Sequence, residues 1–421
     1  MNTLLHRLAF VLLPSYLALG VSTAAEVQNE RPLLIGIATD ASGIYGDSGE
    51  SERRGILLAI REFNERGGVL GRPIETLHID TRSDADAAPA LARQFIEQHK
   101  VGFLIGGVHS GFAAAFSEVA QQHGVIYLNT NSSSPSEAGK NCHRTKFVWD
   151  GNGNNFTRAT IKNAARWIGN RWVLLTHDYE WGHTTAATTR RHLEEAGGSV
   201  VKELLVSEDT TDFSPFLEII RELKPNVVST AVGGKSLQRL QNHVRESGQG
   251  RNPAWLSNQQ DWPDVWLSGN KQELFGVFGT TWYHKFDLPG VAQFVARYRA
   301  TYPDAPIPVP GNVFYNGYMA TRELLKAIQT VGTTNNHAII RELENLRVSA
   351  VERMQHHAGY MNPLTHQFQQ TIYMATANPQ PGDDSDLFTI ISHIPPRDSA
   401  EQSDGQPCRL ESFEDTPVHE P

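Results

Sequence analysis

Short apolar runs alternate with helix-period stretches along most of this 421-residue chain. Residues 33–38 read as a strand, 51–65 as an amphipathic helix, 74–79 as a strand and 87–98 as a helix. The clearest unit comes next. The apolar run 102–105 ends in Gly106-Gly107 and the loop Val108-His109-Ser110-Gly111, and Phe112, Phe116, Val119 and Ala120 then recur at three- and four-residue steps. A second run, 125–128, opens into the polar tract 129–134. In a parallel sheet the two loops of this strand–helix–strand unit share the carboxyl edge, where open α/β sheets take ligands. Both loops offer hydroxyls and backbone N–H groups, and the first opens a helix, whose N-terminus favours anions. The pattern points to a small polar or anionic ligand; the plainer alternative is two ordinary strand–helix turns.

A tract too polar and glycine-rich for any element interior, 150–155, separates a second series. Helices at 156–168, 184–196, 213–223 and 237–246 alternate there with strands at 172–176, 200–206, 227–232 and 255–256. Such alternation predicts parallel strands with helices on both faces. After 279–282 come helices at 291–302, 313–331 and 337–346, then 367–375 as a half-buried alternating strand and 388–394 as another.

Several motifs carry a family resemblance. They are Ile35-Gly36-Ile37 with Ser42-Gly43 and Gly46-Asp47, Gly67-Gly68-Val69-Leu70-Gly71, Ile105-Gly106-Gly107 with Ser110-Gly111, and the 129–135 loop. In order and spacing, over roughly 32–394, the chain resembles the leucine/isoleucine/valine-binding family of periplasmic solute-binding proteins, the ligand-capturing components of ABC importers. The resemblance implies two doubly wound α/β lobes joined by a three-strand hinge, with residues 31–149 and 282–350 in one lobe and 150–281 and 351–394 in the other. It implies no catalysis and no cofactor, a small-molecule ligand, a membrane permease as partner, and a monomer. On the first lobe it assigns ligand contacts to Tyr45, Ser110, Gly111, Asn131 and Ser133. On the second it assigns Trp181, which would cover the ligand on closure, and Lys235, with Gln259, Gln260 and Asp261 where amino-acid binders carry an acid. Amides at that place suit a neutral amide or urea-like solute, and Met361-Asn362-Pro363-Leu364-Thr365-His366 resembles the amide- and urea-binding branch. A sensory receptor of the same fold is the alternative function.

Composition narrows this further. Hydrophobic residues at 39% and charged residues at 20% are globular values. A net charge of -9 excludes a nucleic-acid partner, which needs a basic surface. Residues 1–25 have the charged, apolar and small-residue order of an export signal, with cleavage expected near Ala25 in the periplasm. The two cysteines, Cys142 and Cys408, are expected to pair in that oxidising compartment, the alternative being two buried thiols. Beyond 395 the chain turns polar and proline-rich, a tail with too little apolar surface to fold alone.

Catalytic motifs fail on spacing. Gly107 to Gly111 resembles a nucleophile elbow, but Ser110 falls one place late, so a hydrolase using Ser110 is the least favoured reading. Gly234-Lys235-Ser236 lacks the earlier glycine of a phosphate loop. The 17 histidines are scattered without metal-ligand spacing. Trp181, Trp262, Trp266, Trp282 and Tyr283 are expected mostly as core or hinge packing, with one or two against the ligand.

Overall fold

Leu33, Ile35 and Ile37 are fully buried along the first strand, flanked by parallel neighbours on both sides. This is a computed structural model, and it describes residues 31–268, 276–396 and 407–421. The expected export signal at 1–25 and part of the tail, 397–406, lie outside the described residues. Strands β1 (Leu33–Thr39), β2 (Ile74–Asp80), β3 (Phe103–Ile105), β4 (Tyr127–Asn129) and β5 (Lys146–Val148) form an all-parallel sheet in the order β2-β1-β3-β4-β5.

The second series forms β6 (Arg171–His177), β7 (Ser199–Val206), β8 (Val227–Ala231), β9 (Ala254–Ser257) and β10 (Val277–Thr280). These run parallel in the order β10-β9-β8-β6-β7. A small antiparallel sheet follows, of β11 (Arg347–Val348), β12 (Gly359–Met361) and β13 (Phe368–Gln369). Strands β14 (Ile372–Ala377) and β15 (Phe388–Ile394) then extend the second sheet beyond β10 with antiparallel pairing. The fold is thus α/β with two mainly parallel sheets.

The single alternating strand expected over 367–375 is two strands in different sheets. Residues 367–375 are all buried, so no exposed face remains to produce true alternation, and the chain passes between sheets at Gln370 and Thr371. Two earlier passages run at Trp149–Asp150, after β5, and at Thr281–Trp282, after β10. Segment 347–369 stays beside the first sheet. Val148 bridges Gln367 in parallel, and His366 and Phe368 stack on Phe147 and Trp149 at 4.3 and 4.2 Å.

The helices after β10 return to the first sheet. Helix Asn312–Val331 lies against helix Gly46–Asn64, and the approach is close because of Gly55, where a Cβ would stand 2.1 Å from the Phe314 carbonyl oxygen. Trp262, Trp266, Trp282 and Tyr283 all belong to one buried cluster, and Trp282 stacks on Tyr315 at 5.1 Å. They are core.

Residues 407–421 of the C-terminal tail are held by docking on the body, without a core of their own. Cys142 and Cys408 form a disulfide across a sequence separation of 266. Closing so long a loop contributes about 2–4 kcal/mol in the usual case. Glu411 accepts from the Arg144 backbone N–H and pairs with His143 Nδ1, each at 2.8 Å. The Phe413 ring sits beneath the guanidinium groups of Arg341 and Arg144. His419 and Pro421 accept hydrogen bonds from the Asn336 backbone and the Thr334 hydroxyl.

Candidate functional site

In each parallel sheet the first strand is flanked by the second on one side and the third on the other, so a crevice opens at its carboxyl end. In the first sheet that switch point lies between β1 and β3, and in the second between β6 and β8. The two crevices face each other across one cavity of about 350 Å³, counting space open to solvent. The β1 and β3 loops supply Tyr45, Val108 and Ser110, with Asn131 and Ser133 from the loop after β4. The β6 and β8 loops supply Tyr179, Trp181, Gly233 and Leu237, and the segment after β9 supplies Gln259, Asp261 and Asp264.

The two sides touch around the cavity. Tyr45 Oη and Tyr179 Oη are 2.6 Å apart. His109 caps helix Ser110–Gln122, its Nδ1 accepting from the Phe112 N–H at 3.1 Å, so its Nε2 carries the proton and donates to Glu208 Oε1 at 3.1 Å. The same ring stacks on Tyr179 at 4.5 Å. Lys235 donates from Nζ to the Gly43 carbonyl at 2.9 Å and from its backbone N–H to the Ile44 carbonyl at 3.1 Å. Gly234, at φ 59°, permits this approach, since a Cβ there would meet the Ile44 oxygen at 2.5 Å.

Of the residues assigned to a ligand from sequence, Tyr45, Ser110, Asn131, Ser133, Trp181, Gln259 and Asp261 line this cavity. Gly111, Lys235 and Gln260 do not. Gly111 lies in the first turn of its helix beside the His109 ring, Lys235 fastens one side to the other, and Gln260 turns to Gln241, whose Nε2 donates to its Oε1 at 3.4 Å. Nor is Gln259 a free amide. Its Nε2 donates to Asp150 Oδ2 and Asp261 Oδ1, both at 3.0 Å, while its Oε1 has no hydrogen-bond partner.

Val108, Tyr179, Gly233, Leu237 and Asp264 were not singled out by sequence. Asp264 carried a usable signal. It stands three residues after Asp261, at the start of helix Trp262–Leu267, a spacing that brings both acids to one side.

Buried acids stand behind the wall. Asp150 is fully buried, accepting from Ser133 Oγ at 2.7 Å and Asn316 Nδ2 at 2.8 Å as well as from Gln259. Burial, and then the nearby Asp261 charge, hold its carboxyl up to about 7. Glu52 accepts from Thr130 and, at 2.9 Å, from Asn131, and burial holds it up to about 8. Enclosure also raises Asp261, and burial followed by the Asp261 charge raises Asp264 well above the usual carboxylate range.

These shifts set a pH profile for stability. A carboxyl raised by folding keeps its proton where the unfolded chain has lost it, so stability falls as pH rises from the unfolded value to the folded one. Buried His177 and His284, pushed down to about 4 and about 3 chiefly by burial, act in the opposite sense. Below about 6.5 the unfolded chain takes up protons that these rings refuse, and stability falls with falling pH. Above that point only the acids act. Urea denaturation should therefore show a loss of about 2–3 kcal/mol between pH ~6.5, above which the histidines no longer act, and pH ~8.5. A midpoint that stays level or rises over that interval contradicts the assignment.

Comparison with known proteins places this geometry. A family model described as periplasmic binding protein matches residues 32–384. The Leu/Ile/Val-binding protein homolog 2 of Brucella abortus (strain 2308) is 25% identical over 228 residues, so the match spans 52% of this chain and only 57% of that relative. A periplasmic binding protein from Burkholderia mallei superposes with a TM-score of 0.80 at 22% identity, covering 91% of this chain and 98% of the other. A solute-binding protein of an R. palustris ABC transporter, in complex with benzoate, reaches 0.76 at 19%, covering 87% and 97%. At these identities the structural likenesses establish the fold, and the family match over most of the chain establishes membership: this protein belongs to the periplasmic binding protein family.

Proposed function

We propose that this protein captures a small solute in the cavity between its two sheets by closure of two lobes, and delivers it to a membrane ABC permease. The observation that carries the proposal is convergence: both switch points, one per sheet, contribute to a single cavity, and neither sheet alone holds its walls. The lobes would turn about the passages at Asp150, Thr281 and Gln370. A solute touching both halves is the differential contact that favours the closed form. The Tyr45–Tyr179, His109–Glu208 and Lys235–Gly43 bonds are contacts that closure makes and opening breaks. Export with cleavage near Ala25, a periplasmic location and a monomeric state belong to the same proposal.

Binding without turnover is the better account of Ser110. The adjacent imidazole, that of His109, has one nitrogen on the Phe112 N–H and the other on Glu208. Ser110 Oγ itself accepts from Ser132 Oγ at 2.9 Å. That arrangement provides no base in line with the hydroxyl.

Native mass spectrometry of gently purified exported protein should show a non-covalent small molecule, on a polypeptide whose mass places its N-terminus near Ala25. Small-angle scattering should give a smaller radius of gyration for this loaded protein than for protein stripped by unfolding and refolding. Trp181→Ala should hold the same molecule about tenfold more weakly, chiefly through faster release. Superimposable scattering profiles for loaded and stripped protein would overturn the closure mechanism.

A further inference from the structure

The cavity wall offers acceptors with nothing to accept. Asp264 is 2% exposed and lines the cavity. Its Oδ2 accepts from the Gly234 N–H at 2.8 Å, while its Oδ1 makes no hydrogen bond of normal geometry, the Gln238 amide standing near enough only to favour the carboxylate a little. Gln259 Oε1 is likewise buried and without a partner, because the Gln259 N–H groups serve Asp150 and Asp261. A buried, unpartnered acceptor costs about 1–3 kcal/mol unless a donor reaches it.

The ionisable groups on and behind the wall are acids. Among the residues lining the cavity are Asp261 and Asp264, and no lysine, arginine or histidine. Behind Ser133 and Asn131 stand Asp150 and Glu52. Of the basic groups at the margin, Lys235 is engaged with the Gly43 carbonyl and His109 with Glu208, while His177, beside Tyr179 and Trp181, is kept neutral by burial. Buried Lys146 is paired with Glu137. A carboxylate ligand resting on Ser133 would share that hydroxyl with Asp150, with no cation on the wall to offset the charge. Three aromatic rings, Tyr45, Tyr179 and Trp181, complete the wall, with Tyr179 and Trp181 at 6.2 Å between centroids. Such faces attract a cation.

Resting on the solute-binding reading above, we infer that the solute is an organic cation rich in N–H groups, an amine or amidine without a carboxylate, held by Asp264 and Gln259 against Tyr45, Tyr179 and Trp181. Such a cation departs from a zwitterion, whose carboxylate would sit among these acids, and from a neutral amide, which brings no positive charge against which Asp264 can ionise.

Matched probes separate these classes at nearly constant shape. Benzamidinium, benzamide and benzoate form one set, pentanamidinium, pentanamide and pentanoate an aliphatic one, and leucine represents the zwitterions. Thermal shift and calorimetry on stripped full-length protein should show at least one amidinium binding about tenfold or more tighter than its amide, with no binding of its carboxylate. Asp264→Asn keeps the side-chain shape and should weaken that amidinium about tenfold while the melting temperature of the free protein holds or rises. Asp261→Asn, at a half-buried position, gives a second reading should the first variant fold poorly. If a carboxylate, an amide or leucine binds and neither amidinium does, the inference falls while solute capture stands. If no probe binds, the inference falls as well, and the scattering comparison decides capture separately. An unchanged amidinium affinity in both variants would overturn the assignment to these acids.

Discussion

Arg353→Ala should cost about 3–5 kcal/mol of folding stability, among the largest losses available from one side chain here. Arg353 is fully buried beside the Gln370 passage. Its Nε donates to Gln355 Oε1 at 2.9 Å and its Nη2 to Gln370 Oε1 at 2.6 Å. The guanidinium lies 4.4 Å from the Phe368 centroid and 5.8 Å from those of Trp149 and Tyr315. Rings and amide oxygens therefore solvate a charge that has no salt bridge among the described residues, an expensive arrangement that burial opposes, lowering the Arg353 pKa. Alanine would leave a cavity and an unpaired Gln355 Oε1 at a junction of the two main sheets, with Gln370 Oε1 keeping only the Gln355 Nε2 bond at 3.2 Å. Methionine restores most of the volume and removes the buried charge, so Arg353→Met should recover part of the loss. Equilibrium urea unfolding measures both. A loss below about 1 kcal/mol for the alanine variant would show that the guanidinium is not a structural centre.

The sheets were legible because their strands are short apolar runs ended by glycine or polar loops. Leu33, Ile35 and Ile37 declare β1, and Phe103 to Ile105 before Gly106-Gly107 declare β3. The first half of the cavity was legible for the same reason, since Ser110, Asn131 and Ser133 stand where such strands end. The other half was harder. Trp181 was visible as an aromatic before a glycine, but Tyr179 reaches the cavity only because it precedes its helix in an extended conformation, which no residue pattern announces. Gln259 and Gln260 look alike in sequence, yet in the loop after β9 their side chains go to different partners. One braces two acids while the other meets Gln241. The split at Gln370 was hidden by burial, because strand alternation is visible only where one face meets water. Arg353 was legible only as a charge expected at a surface, and nothing local reveals the rings that enclose it.

Asp150→Ala should be nearly as costly, about 3–4 kcal/mol, and should weaken solute binding as well. Asp150 lies at the first passage and gathers donors from four elements. Ser133 comes from the loop after β4, Gln259 from the segment after β9, Thr281 from the end of β10 at 3.3 Å, and Asn316 from helix Asn312–Val331. Removing the carboxylate takes one acceptor from each of four buried donors, leaving Ser133 only the Asn131 carbonyl at 3.2 Å, and Gln259 and Asn316 one bond each, to Asp261 and to Asn131 Oδ1. Two of those donors, Ser133 and Gln259, also line the cavity, so their loss of orientation should lower amidinium affinity, where the wild type binds one, by tenfold or more. Asp150→Asn keeps the shape but presents an N–H pair on one side where only acceptors now stand, and should fall between the two. Because the Asp150 carboxyl is held up to about 7, the asparagine variant should also lose that group's share of the stability decline above pH ~6.5, leaving the part due to Glu52. Urea midpoints at pH ~6.5 and ~8.5 for wild type and Asp150→Asn test this directly. An identical decline in both would assign the whole of it to Glu52 and the other raised acids, and would mean that Asp150 is ionised in the folded protein throughout.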